Sequence, residues 1–188
     1  MSYKIKEILP FIINRRYQLA ALLAMTVGVV FFKLWYRNAS ASDVSFLLFP
    51  TDFLFGLVVG ERSVLTGEGG YFYAALQIVI DKSCSGAHFL LLSVITILVI
   101  TSSKTYSIFS LVICMLWALL GGWLYSIIVN VSRITIIYFL NQLGADAYPW
   151  LHEMIGGVIY LSMLILLYGG VTLLVSRFQC RLHSNLYS

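Results

Sequence analysis

Charged residues are scarce in this sequence, and their scarcity excludes a soluble protein. Only 11% of the 188 residues are charged, whereas 60% are hydrophobic and 15% are aromatic. A soluble domain of this size cannot remove so much apolar surface from water, so lipid must be the solvent for most of the chain. We therefore expect a single all-α integral membrane domain that crosses the lipid bilayer several times.

Cysteines and clustered basic residues are also few, which excludes two further classes. The chain has only 3 cysteines, too few for a disulfide framework. Cys114 lies within an apolar run and Cys180 in a basic tail, where each has an ordinary packing role. The net charge of +4 comes from membrane-edge residues rather than from a basic patch interleaved with aromatics, so we expect no nucleic-acid partner. The pattern predicts no cofactor and no metal site.

Hydropathy predicts about four membrane-spanning helices, each an apolar run bounded by polar residues. The predicted spans are 17–36, 85–101, 105–129 and 152–175. Residues 44–60 are also apolar, but Pro50 and Asp52 would leave a broken hydrogen bond and a charge in hydrocarbon if the segment crossed. We expect a re-entrant or interfacial helix there, starting near Pro50.

The segments between these spans are predicted to be loops and short elements. Residues 61–70 are polar and glycine-rich, which is typical of a loop. Residues 71–80 are aromatic and β-branched and too short to cross, so they form either a strand-like segment or the lead-in to the next helix. Residues 131–150 hold too many polar side chains for lipid, and we expect an extracytoplasmic loop or short helix there.

Three polar residues at the ends of the predicted spans are expected to share one membrane face. The positive-inside rule places the basic N-terminal segment, Lys104 and the C-terminal arginines in the cytoplasm. Cys84, Arg133 and His152 then fall together on the extracytoplasmic face. These three residues are expected to lie on the same membrane face whether or not residues 44–60 cross the membrane.

These three residue types supply the parts of an acyl-transfer site. Cys84 opens a predicted helix, whose N-terminal partial positive charge favours the reactive thiolate, as does neighbouring Lys82. His152 would act as general base and then as general acid. Arg133 would stabilise an oxyanion or hold a substrate carboxylate. Asn130 would share the helix face of Arg133 and help to orient it.

Each member of this set also has an ordinary structural explanation. Cys84 would pack as a small apolar residue, Arg133 would anchor a helix at the interface, and His152 would be a polar residue at a helix start. His88 competes with His152 as the general base, because it lies four residues after Cys84 and hence on the same helix face.

The order of these motifs resembles the exosortase/archaeosortase family. The matching segments are Cys84-Ser85-Gly86 opening a membrane helix, Asn130-Val131-Ser132-Arg133-Ile134 after the next helix, and His152 opening the last one. The short chain with few helices is most similar to the compact exosortase K branch. The resemblance covers roughly residues 81–160, whereas residues 44–60 have no clear match in the family pattern.

The resemblance implies a cysteine peptidase or transpeptidase in the bacterial inner membrane, with its active site on the extracytoplasmic face. Such enzymes cut the C-terminal sorting tail of secreted proteins beside its transmembrane segment and transfer the protein to another anchor. Carried over by position, Cys84 matches the nucleophile, Arg133 the family arginine and His152 the third member.

Two other functional classes remain open on the residues alone. A membrane acyltransferase would use Cys84 as a thioester carrier. A non-enzymatic assembly or transport subunit would use the pairs Gly121-Gly122 and Gly156-Gly157 for close helix packing. A transporter would need more intramembrane charge than Asp52 alone supplies.

Overall fold

The computed structural model describes residues 23–67, 69–102, 108–142 and 149–186, which are mostly helical. A small sheet lies between the second and third helices, and a 3-10 turn over Lys82–Cys84 leads into the third. The elements in chain order are α1 (23–38), α2 (Ser45–Val59), β1 (Val64–Leu65), β2 (Tyr71–Tyr73), β3 (Ile78–Ile80), α3 (Ala87–Ser102), α4 (Ile108–Gln142) and α5 (Pro149–Leu186).

Three helices within the described ranges are long and apolar enough to cross a membrane. Their apolar stretches are Lys82–Thr101, Phe109–Gln142 and Met154–Arg177. Large apolar side chains on these helices are exposed, among them Phe109, Trp117 and Leu166, as expected of surfaces that face lipid. The chain is a membrane protein, as its composition predicts. Of the predicted span 17–36, the part from residue 23 lies in the described ranges and is helical.

The predicted third span, 105–129, covers only part of a longer helix. Helix α4 continues without a break from Ile108 to Gln142, and α5 begins at Pro149. The described residues of 131–150, expected to form a loop or short helix, therefore belong to these two long helices. Two polar residues next to the predicted boundary at residue 129 have partners within the protein: the Ser132 hydroxyl donates to Ile128 O at 2.9 Å, and the buried Asn130 side chain donates to Cys84 O. A helix of 35 residues is about 50 Å long and exceeds the hydrocarbon thickness of about 30 Å.

The predicted helix start near Pro50 is also wrong, because α2 begins at Ser45 and carries Pro50 inside it. Proline has no N–H, so the Phe46 carbonyl one turn earlier loses its helical partner. The indole Nε1 of Trp123, on α4, donates to that carbonyl oxygen at 3.1 Å. The tertiary contact therefore satisfies the group that the proline leaves unpaired. At 15 residues, α2 is shorter than the roughly 20 residues that a spanning helix needs.

The mostly helical fold also contains a small three-stranded antiparallel sheet. Strand β2 pairs with β1 and with β3, with Phe72 opposite Val64 on one side and Val79 on the other. The strand-like alternative for residues 71–80 is therefore correct, and the predicted loop at 61–70 contains β1. The turn between β2 and β3 includes Gln77 in the left-handed region, at φ 54°.

Two buried clusters hold the segment around Cys84 against the helices. The first joins α2, the sheet and α4, and Cys84 packs at its edge; its buried members include Leu48, Phe55, Tyr73, Ile80 and Ile134. The second joins α2, the start of α3 and α4 through Leu47, Ala87, Ile127 and Val131. The core thus lies at the Cys84 end of the helices, where the sheet covers them.

Candidate active site

Cys84 ends a short 3-10 turn just before α3, rather than beginning the α-helix itself. The Asp81 carboxylate caps this turn by accepting a hydrogen bond from the Ser83 backbone N–H at 2.8 Å. Gly86 then redirects the chain into α3 with φ at +67°, and a Cβ there would lie 3.0 Å from Cγ of Asn130. Both the conformation and the close approach favour glycine at this position.

Helix α1 fixes the Cys84 turn from one side. The Tyr36 hydroxyl donates to Lys82 O at 2.9 Å and lies 3.1 Å from the Ser85 hydroxyl. The Lys82 ammonium lies over the Tyr36 ring and donates to Ala39 O at 2.6 Å. Lys82 therefore binds the carboxyl end of α1, where a helix dipole favours a cation. The sequence predicted a role for Lys82 at the thiol and missed this contact.

Helix α4 holds the same turn from the other side. The buried side chain of Asn130 donates from Nδ2 to the Cys84 carbonyl oxygen, and the Ser126 hydroxyl donates to Gly86 O at 3.3 Å. Two side chains from one helix face thus bind the backbone on both sides of Ser85. The position of Cys84 is set by α4 as well as by its own turn.

Arg133 lies one turn further along α4 and contacts α5. Its Nη1 donates to the Tyr160 hydroxyl at 3.1 Å, and its guanidinium carbon lies 5.1 Å from the centre of the Tyr160 ring. The Tyr160 hydroxyl in turn donates to Oδ1 of Asn130 at 2.9 Å. The buried Nε of Arg133 has no hydrogen-bond partner within the described part of the chain. A continuous hydrogen-bond chain therefore runs from the guanidinium through Tyr160 and Asn130 to the Cys84 backbone.

Cys84 and Arg133 line one cavity of about 120 Å³ between β3 and α4. The remaining walls are mostly apolar and are formed by Ile78, Val79, Ile80, Ile134, Ile137, Tyr138 and Asn141. The structure thus brings Cys84 and Arg133 to the walls of one cavity, whereas the membrane face that they are predicted to share stays a prediction. A nucleophile and a fixed cation beside one small cavity are the groups that an acyl-transfer reaction needs.

The two candidate histidines differ in what the structure describes. His88 is exposed, packs edge-on against the Tyr36 ring at 5.2 Å, and does not line the cavity of Cys84 and Arg133. His152 belongs to α5, four residues before Gly156, but its side chain lies outside the described residues. Its predicted role remains a prediction.

Tyr160 is the site residue that sequence reasoning missed. Its ring stacks on Phe89 of α3 at 4.8 Å, so this one residue of α5 contacts partners on both α3 and α4. The available signal is spacing: Tyr160 follows His152 by eight residues and Gly156 by four, which places the three positions along one side of a helix. By contrast, the geometry agrees with the expectation that Asn130 helps to orient Arg133. The two residues are linked by the Tyr160 hydroxyl, which binds both of them.

Asp52, the unusual acidic residue of the apolar segment 44–60, lies in a separate cleft. Its carboxylate accepts a hydrogen bond from the Tyr73 hydroxyl at 2.7 Å. Burial raises the pKa of Tyr73, and the neighbouring Asp52 carboxylate raises it further. The Asp52 carboxylate therefore links α2 to the sheet and does not face Cys84.

Among the residues that the structure describes, no three His, Cys, Asp or Glu side chains are grouped so as to hold a metal ion.

In comparisons with protein-family models, curated proteins and solved structures, no match to this chain was found.

Proposed function

We propose that this protein is a membrane-embedded cysteine peptidase or transpeptidase that cuts secreted proteins beside a C-terminal transmembrane tail. The observation that carries the proposal is the cavity that Cys84 and Arg133 line together, beside the start of the apolar helix α3 and against the apolar helix α4. The resemblance of the ordered motifs to the exosortase/archaeosortase family supports it. The proposal includes four spans, residues 17–36 being the first, in a bacterial inner membrane with the site on the extracytoplasmic face.

The proposed first half-reaction is an acyl transfer to sulfur. The Cys84 thiolate attacks the carbonyl carbon of the scissile peptide bond, and Arg133 stabilises the oxyanion that forms. The C–N bond then breaks, His152 gives a proton to the leaving amine, and the acyl group remains on Cys84 as a thioester. The substrate's transmembrane tail leaves with the new amino terminus.

The second half-reaction returns the enzyme to its starting state. An acceptor nucleophile, either water or an amine or hydroxyl of the new anchor, loses its proton to His152 and attacks the thioester carbonyl. The C–S bond breaks, and the Cys84 thiolate is released. No oxidant or reductant is consumed, so the reaction needs only the acceptor.

The test compares processing in cells that express the wild-type chain or single-residue variants. The C-termini of envelope proteins with a C-terminal transmembrane tail are mapped by mass spectrometry. We expect Cys84→Ala to abolish tail removal and His152→Ala to reduce it by a factor on the order of 10² or more, as for a general base. His88→Ala is the matched control and should process normally, because His88 does not line the cavity.

Adducts on Cys84 separate the peptidase from the acyltransferase alternative. A peptidase carries a hydroxylamine-labile polypeptide on Cys84, whereas an acyltransferase carries a fatty acyl group there. A fatty acyl adduct together with intact tails would overturn the peptidase proposal. Equal loss of processing in His88→Ala and His152→Ala would remove the proposed assignment of the base.

A further inference from the structure

We infer that Tyr160 is a positioning residue that holds the Arg133 guanidinium in place beside Cys84. The meaning of this role for catalysis rests on the proposed function, but the contacts themselves do not. The Tyr160 hydroxyl accepts a hydrogen bond from Nη1 of Arg133 at 3.1 Å and donates one to Oδ1 of Asn130 at 2.9 Å.

The hydroxyl of Tyr160 suits this position because it accepts and donates at the same time. Arginine has only hydrogen-bond donors, and the amide oxygen of Asn130 can only accept. A group that joins them must therefore accept from the guanidinium and donate to the amide oxygen. The other end of Asn130 donates to the Cys84 carbonyl. A phenylalanine at position 160 would keep the ring but remove both hydrogen bonds, the one from Arg133 and the one to Asn130.

The ring of Tyr160 gives its hydroxyl a fixed location. It stacks on Phe89 with centroids 4.8 Å apart and an interplanar angle of 23°. The guanidinium carbon of Arg133 lies 5.1 Å from the ring centroid, within the range of a cation–π contact. A tyrosine has only two rotatable side-chain bonds before its hydroxyl, so packing of the ring leaves that hydroxyl little freedom.

Gly156, one helical turn before Tyr160, also helps to position the Arg133 guanidinium. A Cβ at Gly156 would lie 2.7 Å from Nε and 3.3 Å from Nη2 of Arg133, so the guanidinium occupies the space that a side chain would fill. The adjacent Gly157 is exposed, and nothing lies within 4 Å of a Cβ there. Helix α5 therefore presents a notch and a hydroxyl that together locate the guanidinium.

The predicted consequence is measurable without any substrate. Iodoacetate and iodoacetamide alkylate the same thiolate, but only iodoacetate is an anion that Arg133 attracts. Because both rates depend equally on the fraction of Cys84 that is thiolate, this fraction drops out of the ratio of the two rates at one pH. The ratio therefore reports the charge near Cys84. Full-length protein in neutral detergent micelles is treated with each reagent, and Cys84 alkylation is followed by peptide mass spectrometry.

We expect Tyr160→Phe to lower the iodoacetate-to-iodoacetamide ratio by about three- to tenfold, the effect of moving a unit charge a few ångströms away at the effective dielectric of a protein. Gly156→Ala should lower the ratio similarly by displacing the guanidinium, whereas Gly157→Ala should keep the wild-type ratio. Arg133→Gln defines the ratio without the charge. A general loss of packing would change both rates together and leave the ratio unchanged.

Two results would overturn the inference. One is a wild-type ratio in both Tyr160→Phe and Gly156→Ala while Arg133→Gln lowers it, which would mean that Arg133 is positioned without α5. The other is an unchanged ratio in Arg133→Gln, which would mean that the guanidinium does not act on the thiol. Neither result bears on tail removal, which the Cys84→Ala processing assay tests separately.

Discussion

Arg133 is a single arginine within a mostly apolar helix, and two roles would explain its position there. As an interfacial anchor it would need only its positive charge. As a planar donor it would use the fixed fork of its guanidinium. The contacts favour the second reason, because Nη1 binds Tyr160, the guanidinium lies over the same ring, and the residue lines the cavity of Cys84.

Arg133→Lys separates these two reasons. Lysine keeps the charge but cannot reproduce the fork or the fit beside Gly156. We expect the variant to accumulate in the membrane at the wild-type level but to lose transition-state stabilisation of about 2–4 kcal/mol, the usual effect of removing one oxyanion donor. Membrane abundance by immunoblot and tail processing by mass spectrometry measure the two effects. A wild-type processing rate would make Arg133 an anchor.

His88 shows why helical spacing alone does not define a site. It lies four residues after Cys84, which suggested one helix face. Cys84, however, lies in a 3-10 turn, and Gly86 in the left-handed region separates it from α3. The spacing rule applies only within a continuous α-helix, so His88 instead packs against Tyr36.

Among the secondary-structure elements, α2 and α4 continue past residues that would interrupt them because neighbouring elements supply hydrogen-bond partners. Pro50 removes one helical hydrogen bond within α2, and Trp123 of α4 donates to the carbonyl that is left. Asn130, buried within α4, finds partners in Cys84 and Tyr160. Residues that would end an isolated helix are tolerated here because a neighbouring element satisfies them.

The contact between α3 and α4 predicts different effects for two adjacent glycines. A Cβ at Gly122 would lie 2.6 Å from Cγ2 of Val94 and 3.2 Å from its backbone nitrogen, whereas a Cβ at Gly121 would meet Ile97 at an ordinary 3.7 Å. We expect Gly122→Ala to lower the free energy of unfolding by about 1–3 kcal/mol through overpacking. Equilibrium unfolding by sodium dodecyl sulfate in mixed micelles measures this change.

Gly121→Ala is the matched control for that measurement. It makes the same chemical change on the same helix, and replacing a helical glycine with alanine is neutral or stabilising by up to about 1 kcal/mol where there is room. Equal destabilisation by the two substitutions would contradict the close packing of α3 on α4 at Gly122. The sequence predicted close packing for the pair, and the structure assigns it to Gly122.

At the scale of the whole molecule, the functional groups gather at one end of the helices. The carboxyl end of α1, the Cys84 turn and the middle of α4 meet there through Tyr36, Lys82 and Asn130. The sheet lies at the same end, because Ile80 and Cys84 pack in one cluster with Ile134 of α4. The proposed function requires this end of the helices to face the extracytoplasmic side of the membrane.

Reporter cysteines in a cysteine-free background test this orientation. A Cβ at Gly67 meets no atom within 4 Å, so Gly67→Cys should be accommodated and should react with an impermeant thiol reagent in intact cells. With both termini cytoplasmic, Ser103→Cys and Ser184→Cys should react only after the membrane is permeabilised. Labelling of Ser103→Cys from outside would invert the topology and place the site in the cytoplasm.

Hydropathy along the chain was sufficient to predict a membrane protein and to place α3 to within two residues. Helix α3 begins at Ala87 and ends at Ser102, against a predicted span of 85–101. This agreement has a simple cause: lipid selects for the summed hydropathy of about 20 consecutive residues, which is a local property of the chain. The order of Cys84, Arg133 and His152 along the chain is likewise read from the sequence alone.

The partners of the polar residues could be found only from the way in which the helices pack. Trp123 satisfies a carbonyl 77 positions away, Asn130 binds the Cys84 carbonyl across 46 positions, and Tyr160 reaches Arg133 across 27. A buried polar group is acceptable when it has a partner and unfavourable when it has none. Hydropathy counts each such residue as polar in either case, so it ended α4 too early and did not find Tyr160. Whether the partner exists depends on how the helices pack, and no local window of sequence contains that information.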